Sequence, residues 1–252
     1  MKLFDPFGNP LLIKRVMFGV FGSFFYIGLC VINRLRIEGS DKIRKLPAQN
    51  VLFVSNHQTY YRDVMAIFHS ICAAKWGYGR RLWAPFYLLW TPARLYYVAA
   101  TETMKKSGIL PWLFSLAGAV TVKRSWREGG EEVQRQVDVS EVEKIYKALD
   151  FGWVLTFPQG TTKPYAEGRR GVAQIIKDQQ PVVIPVVING FRRAFNKKGL
   201  LLKKRNVDLT VTFKDPLELD YTASKDQIIA QIMDAIEQSD RYRFPHYSPS
   251  LK

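Results

Sequence analysis

One of the chain's three histidines stands in the stretch FVSNHQTYYRD, six positions before an aspartate. An imidazole paired with a carboxylate makes a general base: the carboxylate fixes the tautomer and stabilises the imidazolium, and the second ring nitrogen takes a proton. Spacing limits where His57 and Asp63 can pair. Six residues along a helix place side chains about 240° apart. Along a strand they share a face but stand about 20 Å apart. Only a folded-back turn brings the two into hydrogen-bonding range. A histidine that merely caps or decorates a surface turn would leave the same pattern. No G-x-S-x-G supplies a nucleophilic serine, and Ser55, two residues before His57 at a strand end, should point elsewhere. A His-Asp pair without its own nucleophile can activate the hydroxyl or amine of an acceptor, which then attacks an acyl thioester directly.

The surrounding elements suit such a turn. Residues 51–54 read as a buried strand, and 63–74 as a helix with apolar spacing at Val64, Ile67, Phe68 and Ile71 and an acid near its start. His57 therefore sits in a strand-to-helix connection, where α/β sheets carry functional residues. Residues 35–38, 119–124, 153–157 and 207–219 also read as strands, and 181–188 as a continuous apolar strand of the kind buried on both faces. Helical spacing recurs at 107–117, 141–150, 171–178 and 224–238. Residues 125–140 read as loop. Residues 76–100 have no clean period and read as irregular core or as an acyl-chain or membrane-contact surface. Strands alternating with helices predict an α/β sandwich with a largely parallel mixed sheet, with no repeat or linker to split it.

A chain of 252 residues with 47% hydrophobic content can build a packed core. Its net charge of +15 calls for an anionic partner: nucleic acid, an acidic membrane surface, or a phosphate- or carboxylate-bearing substrate. An aromatic content of 13% suits contact with an interface. Two cysteines make no disulfide framework, which fits a reducing cytosolic setting, and no C-x-x-C or H-E-x-x-H spacing points to a metal. Residues 16–32 are uncharged between Lys14-Arg15 and Arg34 and Arg36. Such a run covers about 26 Å as a helix, at the lower limit for a bilayer. It reads as a helix lodged in one leaflet or barely spanning, with a buried core helix as the alternative. A cleaved signal peptide fits poorly. The expected organisation is an anchoring helix with its flanks at 1–36 and a single domain at 37–252.

Four blocks in order resemble the glycerolipid acyltransferases, typified by 1-acylglycerol-3-phosphate acyltransferase. Asn56-His57 through Asp63 is similar to that family's N-H-x4-D. GAVTVKR, ending at Arg124, resembles its G-x-x-x-V-x-R block. FPQGTT, Phe157 to Thr162, resembles F-P-E-G-T-R, and IPVVI, Ile184 to Ile188, resembles V-P-V-x-I. The resemblance implies a glycerol-3-phosphate-acyltransferase-like sandwich. It also implies transfer of a fatty acyl group from acyl carrier protein or coenzyme A to a lyso-lipid acceptor, at the cytoplasmic face of the cell membrane. His57 would be the general base and Asp63 its orienting partner. Arg124 would contact an anionic headgroup, and Gln159, Gly160, Thr161, Thr162 and Lys163 would shape the acceptor site. No metal or redox cofactor is implied.

Three departures touch that site. His57 and Asp63 have five residues between them rather than four, which a loop can absorb. Gln159 stands in place of glutamate and Thr162 in place of arginine, so an ion pair is exchanged for neutral hydrogen bonds and the claim on phosphate weakens. An amino-acid-type lyso-lipid therefore enters as an acceptor beside lysophosphatidic acid. The basic and apolar stretch 192–205 suits an anionic bilayer or the acidic acyl carrier protein. Transfer to an amine, forming an amide, would use the same pair. Against a basic nucleic-acid-binding protein stand the absence of any such motif and the unexplained apolar segment, so no nucleic-acid partner is expected.

Overall fold

The computed structural model describes residues 3–80, 82, 84–90, 94–101, 116–122 and 139–243. Arg34–Glu38 (β1), Val51–Ser55 (β2), Leu95–Ala100 (β3), Ala119–Val122 (β4), Trp153–Thr156 (β5), Val182–Asn189 (β6) and Asp208–Phe213 (β7) make one sheet, ordered β1-β7-β6-β2-β5-β3-β4. Every pairing is parallel except β6 with β7. The helices are Leu11–Tyr26 (α1, continued by a π-helical turn at Ile27–Val31), Ser40–Arg44 (α2), Arg62–Lys75 (α3), Val139–Phe151 (α4), Arg170–Gln179 (α5), Phe191–Ala194 (α6), Lys225–Ala235 (α7) and Asp240–Arg243 (α8).

Side chains alternate across a strand, so the two faces of the sheet build two cores. Phe53, Leu155, Ile184, Val186 and Ile188 pack against α1 and α3. Leu52, Val54, Val154 and Val183 pack against α4, α5 and α7. This gives the expected α/β sandwich with a largely parallel sheet.

In the segment that has no clean period, residues 76–100, the chain forms a 3-10 helix at Pro85–Trp90 and strand β3. Leu95 and Tyr97 enter one core while Tyr96 enters the other. A strand buried on both faces shows no polar alternation, which is why the sequence pattern hides it. The helix at 107–117 and the loop at 125–140 lie almost wholly outside the described residues.

α1 begins at Leu11, five residues before the uncharged run. With its π-turn it forms a 21-residue apolar helix, long enough to cross a bilayer by length and composition. Leu11, Lys14, Phe18, Gly22, Phe25 and Leu29 recur at three- and four-residue steps and are buried. Ile13, Val16, Val20, Phe24, Ile27 and Val31 follow the same rhythm on the opposite side and are exposed. The helix is thus fused to the core along one stripe and apolar along the other.

Candidate active site

β6, β2 and β5 are neighbours running in one direction, so the connections leaving their C-terminal ends converge. After β2 comes Asn56, whose side-chain amide donates to the carbonyl of Ile188 (3.0 Å) and accepts from its N–H (2.8 Å). The amide extends the β2–β6 ladder by one rung and frees the main chain to turn away. His57 emerges at that turn. Residues 58–61 are non-helical, and α3 starts at Arg62, so the fifth intervening residue is taken up in the loop.

The His57 Nδ1–Asp63 Oδ2 distance is 2.9 Å, with Asp63 fully buried and His57 12% exposed. Asp63 also accepts from the N–H groups of Gln58 and Thr59 and from the Thr59 hydroxyl (2.6 Å to Oδ1). A carboxylate surrounded by donors places the imidazole proton on Nδ1, so Nε2 carries the free lone pair. Among the described residues Nε2 has no hydrogen-bond partner. Phe157, the last residue before the Pro-Gln-Gly turn, stacks on the ring at 3.9 Å between centroids and 19° between planes. The imidazole is therefore fixed by a hydrogen bond at its edge and an aromatic ring on its face.

A cleft of ≈ 350 Å³ opens beside this loop, lined among others by Thr161, Thr162, Lys163, Arg192, Lys197 and Lys203, with no carboxylate among its lining residues. Arg192, just after β6, donates through Nη2 to the carbonyls of His57 (3.1 Å) and Thr162. Burial lowers its pKa and the nearby charge of Asp63 opposes that shift. Arg62 is buried against the rings of Phe25 and Phe195 and donates to the Gly199 carbonyl (2.8 Å). It ties α1 and the 195–203 loop to the residue next to Asp63, and burial pushes its pKa down to about 10.

An acyltransferase family model matches residues 34–189, well over half of the chain. The chain belongs to the acyltransferase family. In fold the acyltransferase is similar to the 1-acyl-sn-glycerophosphate (LPA) acyltransferase PlsC from Thermotoga maritima, with a TM-score of 0.53 and 17% identity over 93% of this chain and 81% of that one. No curated protein matches. Family membership sets aside the reading as a non-enzymatic nucleic-acid-binding protein.

The residues expected at the site fall into three groups in the acyltransferase. His57 and Asp63 meet, and Thr161, Thr162 and Lys163 line the adjoining cleft. Gln159 is buried inside its turn, where Nε2 donates to the Ala166 carbonyl (3.0 Å) and to Gln238 Oε1 (3.3 Å). Neither it nor Gly160 lines the cleft. Gly160 supplies a φ of +60° and the room in which a Cβ would lie 2.6 Å from the Arg169 guanidinium carbon. Arg124 lies outside the described residues, two positions past β4. Sequence reasoning missed the stacking role of Phe157, the Thr59 hydroxyl and the entry of Arg192 into the cleft. Only the placement of Arg192 directly after a buried strand could have flagged it.

Proposed function

We propose that this acyltransferase moves a fatty acyl group from an acyl thioester, on acyl carrier protein or coenzyme A, to the hydroxyl of a lyso-lipid acceptor with an anionic headgroup. The observation that carries the reading is His57, held by Asp63 at 2.9 Å with Nε2 unengaged, beside a cleft lined by Lys163, Arg192, Lys197 and Lys203. Nε2 removes the proton of the acceptor hydroxyl as its oxygen attacks the thioester carbonyl. The C–O bond forms, the C–S bond breaks, and the leaving thiolate takes the proton from the imidazolium. Asp63 stabilises the imidazolium during the step.

The loss of the motif arginine at Thr162 suggested a weak hold on phosphate. Four cations drawn mostly from elsewhere in the chain support an anionic headgroup all the same, phosphate or the carboxylate of an amino-acid-type lyso-lipid. The exposed apolar stripe of α1 supports seating against a lipid surface, with the acceptor entering from the bilayer. Acyl thioesters are made in the cytoplasm, which favours the cytoplasmic face.

The test is His57→Ala assayed with labelled acyl thioester and lyso-lipid. Turnover should fall by about 10² to 10⁴-fold, the range for a lost general base, with the thermal unfolding curve unchanged. Retained turnover would rule out His57 as the base.

A further inference from the structure

FPQGTT lacks the arginine its family counterpart carries, yet two guanidinium groups from elsewhere reach the turn. Arg169 donates through Nε to the Gln159 carbonyl (3.3 Å) outside the cleft lining, whereas Arg192, thirty residues further along, lines the cleft and bonds the carbonyl of Thr162 itself through Nη2. We propose that Arg192 is the headgroup-binding residue of the acceptor site, supplying the charge that position 162 does not. The inference rests on reading the cleft as the acceptor site.

Three observations carry it. First, the guanidinium is pre-organised. Nη2 is shared between the carbonyls of His57 and Thr162. The Arg192 N–H bonds Gln58 Oε1 (3.2 Å), and its carbonyl accepts from Lys203 Nζ (3.2 Å). The last two bonds fix the main chain of Arg192 and the first two fix one nitrogen of its guanidinium before any ligand arrives, which lowers the ordering cost of binding.

Second, the anchoring uses only Nη2. Among the described residues Nε and Nη1 have no hydrogen-bond acceptor, and Arg192 has no ion-pair partner. A fork with three N–H groups left over suits the two oxygens of a carboxylate or phosphate. A half-buried guanidinium bears a desolvation cost that the nearby charge of Asp63 offsets only in part, visible in the direction of its pKa shift. An anionic ligand offsets that cost.

Third, the position relates the anion to the chemistry. The guanidinium bonds the main-chain carbonyl of His57, the base. An anion on its remaining N–H groups is thereby held against the same turn that carries the base. Thr162 does not compete for the place, because a hydroxyl cannot make the bidentate contact.

The experiment compares lysophosphatidic acid, an amino-acid-type lyso-lipid with a free carboxylate, and monoacylglycerol as the headgroup-free acceptor. With Arg192→Ala, KM for the anionic acceptor the enzyme uses should rise about 10- to 100-fold, as expected for lost hydrogen bonds to a charged group, and much more than KM for monoacylglycerol. Whichever of the two anionic acceptors shows that loss identifies the headgroup as phosphate or carboxylate. Arg192→Lys, which keeps a charge but not the fork, should give a smaller loss with the same selectivity. Arg192→Ala/Thr162→Arg should recover part of the preference for the anionic acceptor.

Equal losses on all three acceptors, with no recovery from Thr162→Arg, would make Arg192 a brace between two loops and overturn the proposal. Equilibrium binding separates its failure from that of the catalytic reading. In a His57→Ala background, removing Arg192 should weaken binding of the anionic lyso-lipid at least tenfold relative to monoacylglycerol, whether or not any acceptor is turned over. Equal weakening would overturn the proposal even if acyl transfer is fully established.

Discussion

The rings of His57 and Phe157 lie face to face, 3.9 Å between centroids and 19° between planes, although they leave different strands of the sheet. Phe157 follows β5 and His57 follows β2, and these strands pair in parallel with Val54 opposite Thr156. The stack is therefore a product of sheet register. Aromatic pairs of this kind contribute about 0.5–1.5 kcal/mol beyond area burial. Phe157→Leu keeps an apolar side chain but loses the planar face, so the imidazole keeps its Asp63 bond and gains freedom to tilt. Steady-state kinetics should show kcat down about two- to tenfold with the acceptor KM nearly constant. A raised KM at unchanged kcat would mean that Phe157 acts on the acceptor rather than on His57.

Asp63→Asn tests the partner of His57, the proposed base, without removing its geometry. The Thr59 hydroxyl, now donating to Asp63 Oδ1 at 2.6 Å, can reverse and accept from the new amide. The remaining amide oxygen can still receive His57 Nδ1 and the N–H groups of Gln58 and Thr59. The fold should persist, while the negative charge beside the imidazolium disappears. Turnover should fall by about 10²-fold or more, and thermal unfolding checks that the protein is intact. Activity within a few-fold of the parent would remove Asp63 from the mechanism.

The strands around the site were legible because each is a short apolar run ended by turn residues. Residues 51–54 and 181–188 foretell β2 and β6 to within a residue or two. The His-Asp pair was legible through the turn argument, since no regular element could join residues so spaced. Strand β3 was not legible, because Leu95, Tyr96 and Tyr97 are buried on both sides and carry no alternation. The stretch 192–205 was read as a surface for a bilayer or acyl carrier protein. Within that stretch the structure brings Arg192, Lys197 and Lys203 to the cleft and leaves Lys198, Lys204 and Arg205 exposed. Cationic charge is visible in a sequence, but the wall it faces depends on α6 and on the loop that follows it.

Gln159 is the departure whose consequence changes most in three dimensions. The exchange of a Glu-Arg pair for Gln and Thr suggested neutral bonds between the two positions, whereas the Gln159 amide bonds Ala166 and Gln238 and not Thr162. Gln238 Oε1 also accepts from the Tyr165 N–H at 3.0 Å, which holds it in the orientation that requires a donor from Gln159. Restoring the family's acid alone, Gln159→Glu, would set a buried carboxylate against the Ala166 carbonyl and Gln238 Oε1. Stability should fall by about 1–3 kcal/mol or more, read as a lower urea midpoint with an unchanged m-value. An unchanged midpoint would show that the 158–166 turn rearranges freely around an acid.

His69 provides a pH dependence away from the site. It is buried between α1 and the 3-10 helix, 3.0 Å from the Gly22 carbonyl through Nε2 and 2.7 Å from the Tyr87 hydroxyl through Nδ1. The carbonyl can only accept, so the Nε2 proton goes to Gly22 and Tyr87 donates to Nδ1. Protonating the ring would force the Tyr87 hydroxyl to turn from donor to acceptor and would bury a charge. Burial, reinforced by the charge of Arg62 and opposed by the Gly22 bond, lowers the pKa from 6.5 to about 4. The unfolded chain then binds more protons than the folded one between those values, so stability rises with pH across that window and levels off outside it. The loss on acidification should be on the order of 3 kcal/mol at most. The exposed carboxylates with lowered pKa values, Asp178, Asp208 and Asp220, add a loss of the same sign at the acid edge of this window, so the histidine's share is read from the difference between parent and variant. Urea denaturation between pH 7 and pH 4 should show a falling midpoint in the parent and a flatter profile in His69→Gln. Parallel profiles for the two proteins would assign the acid sensitivity to other groups.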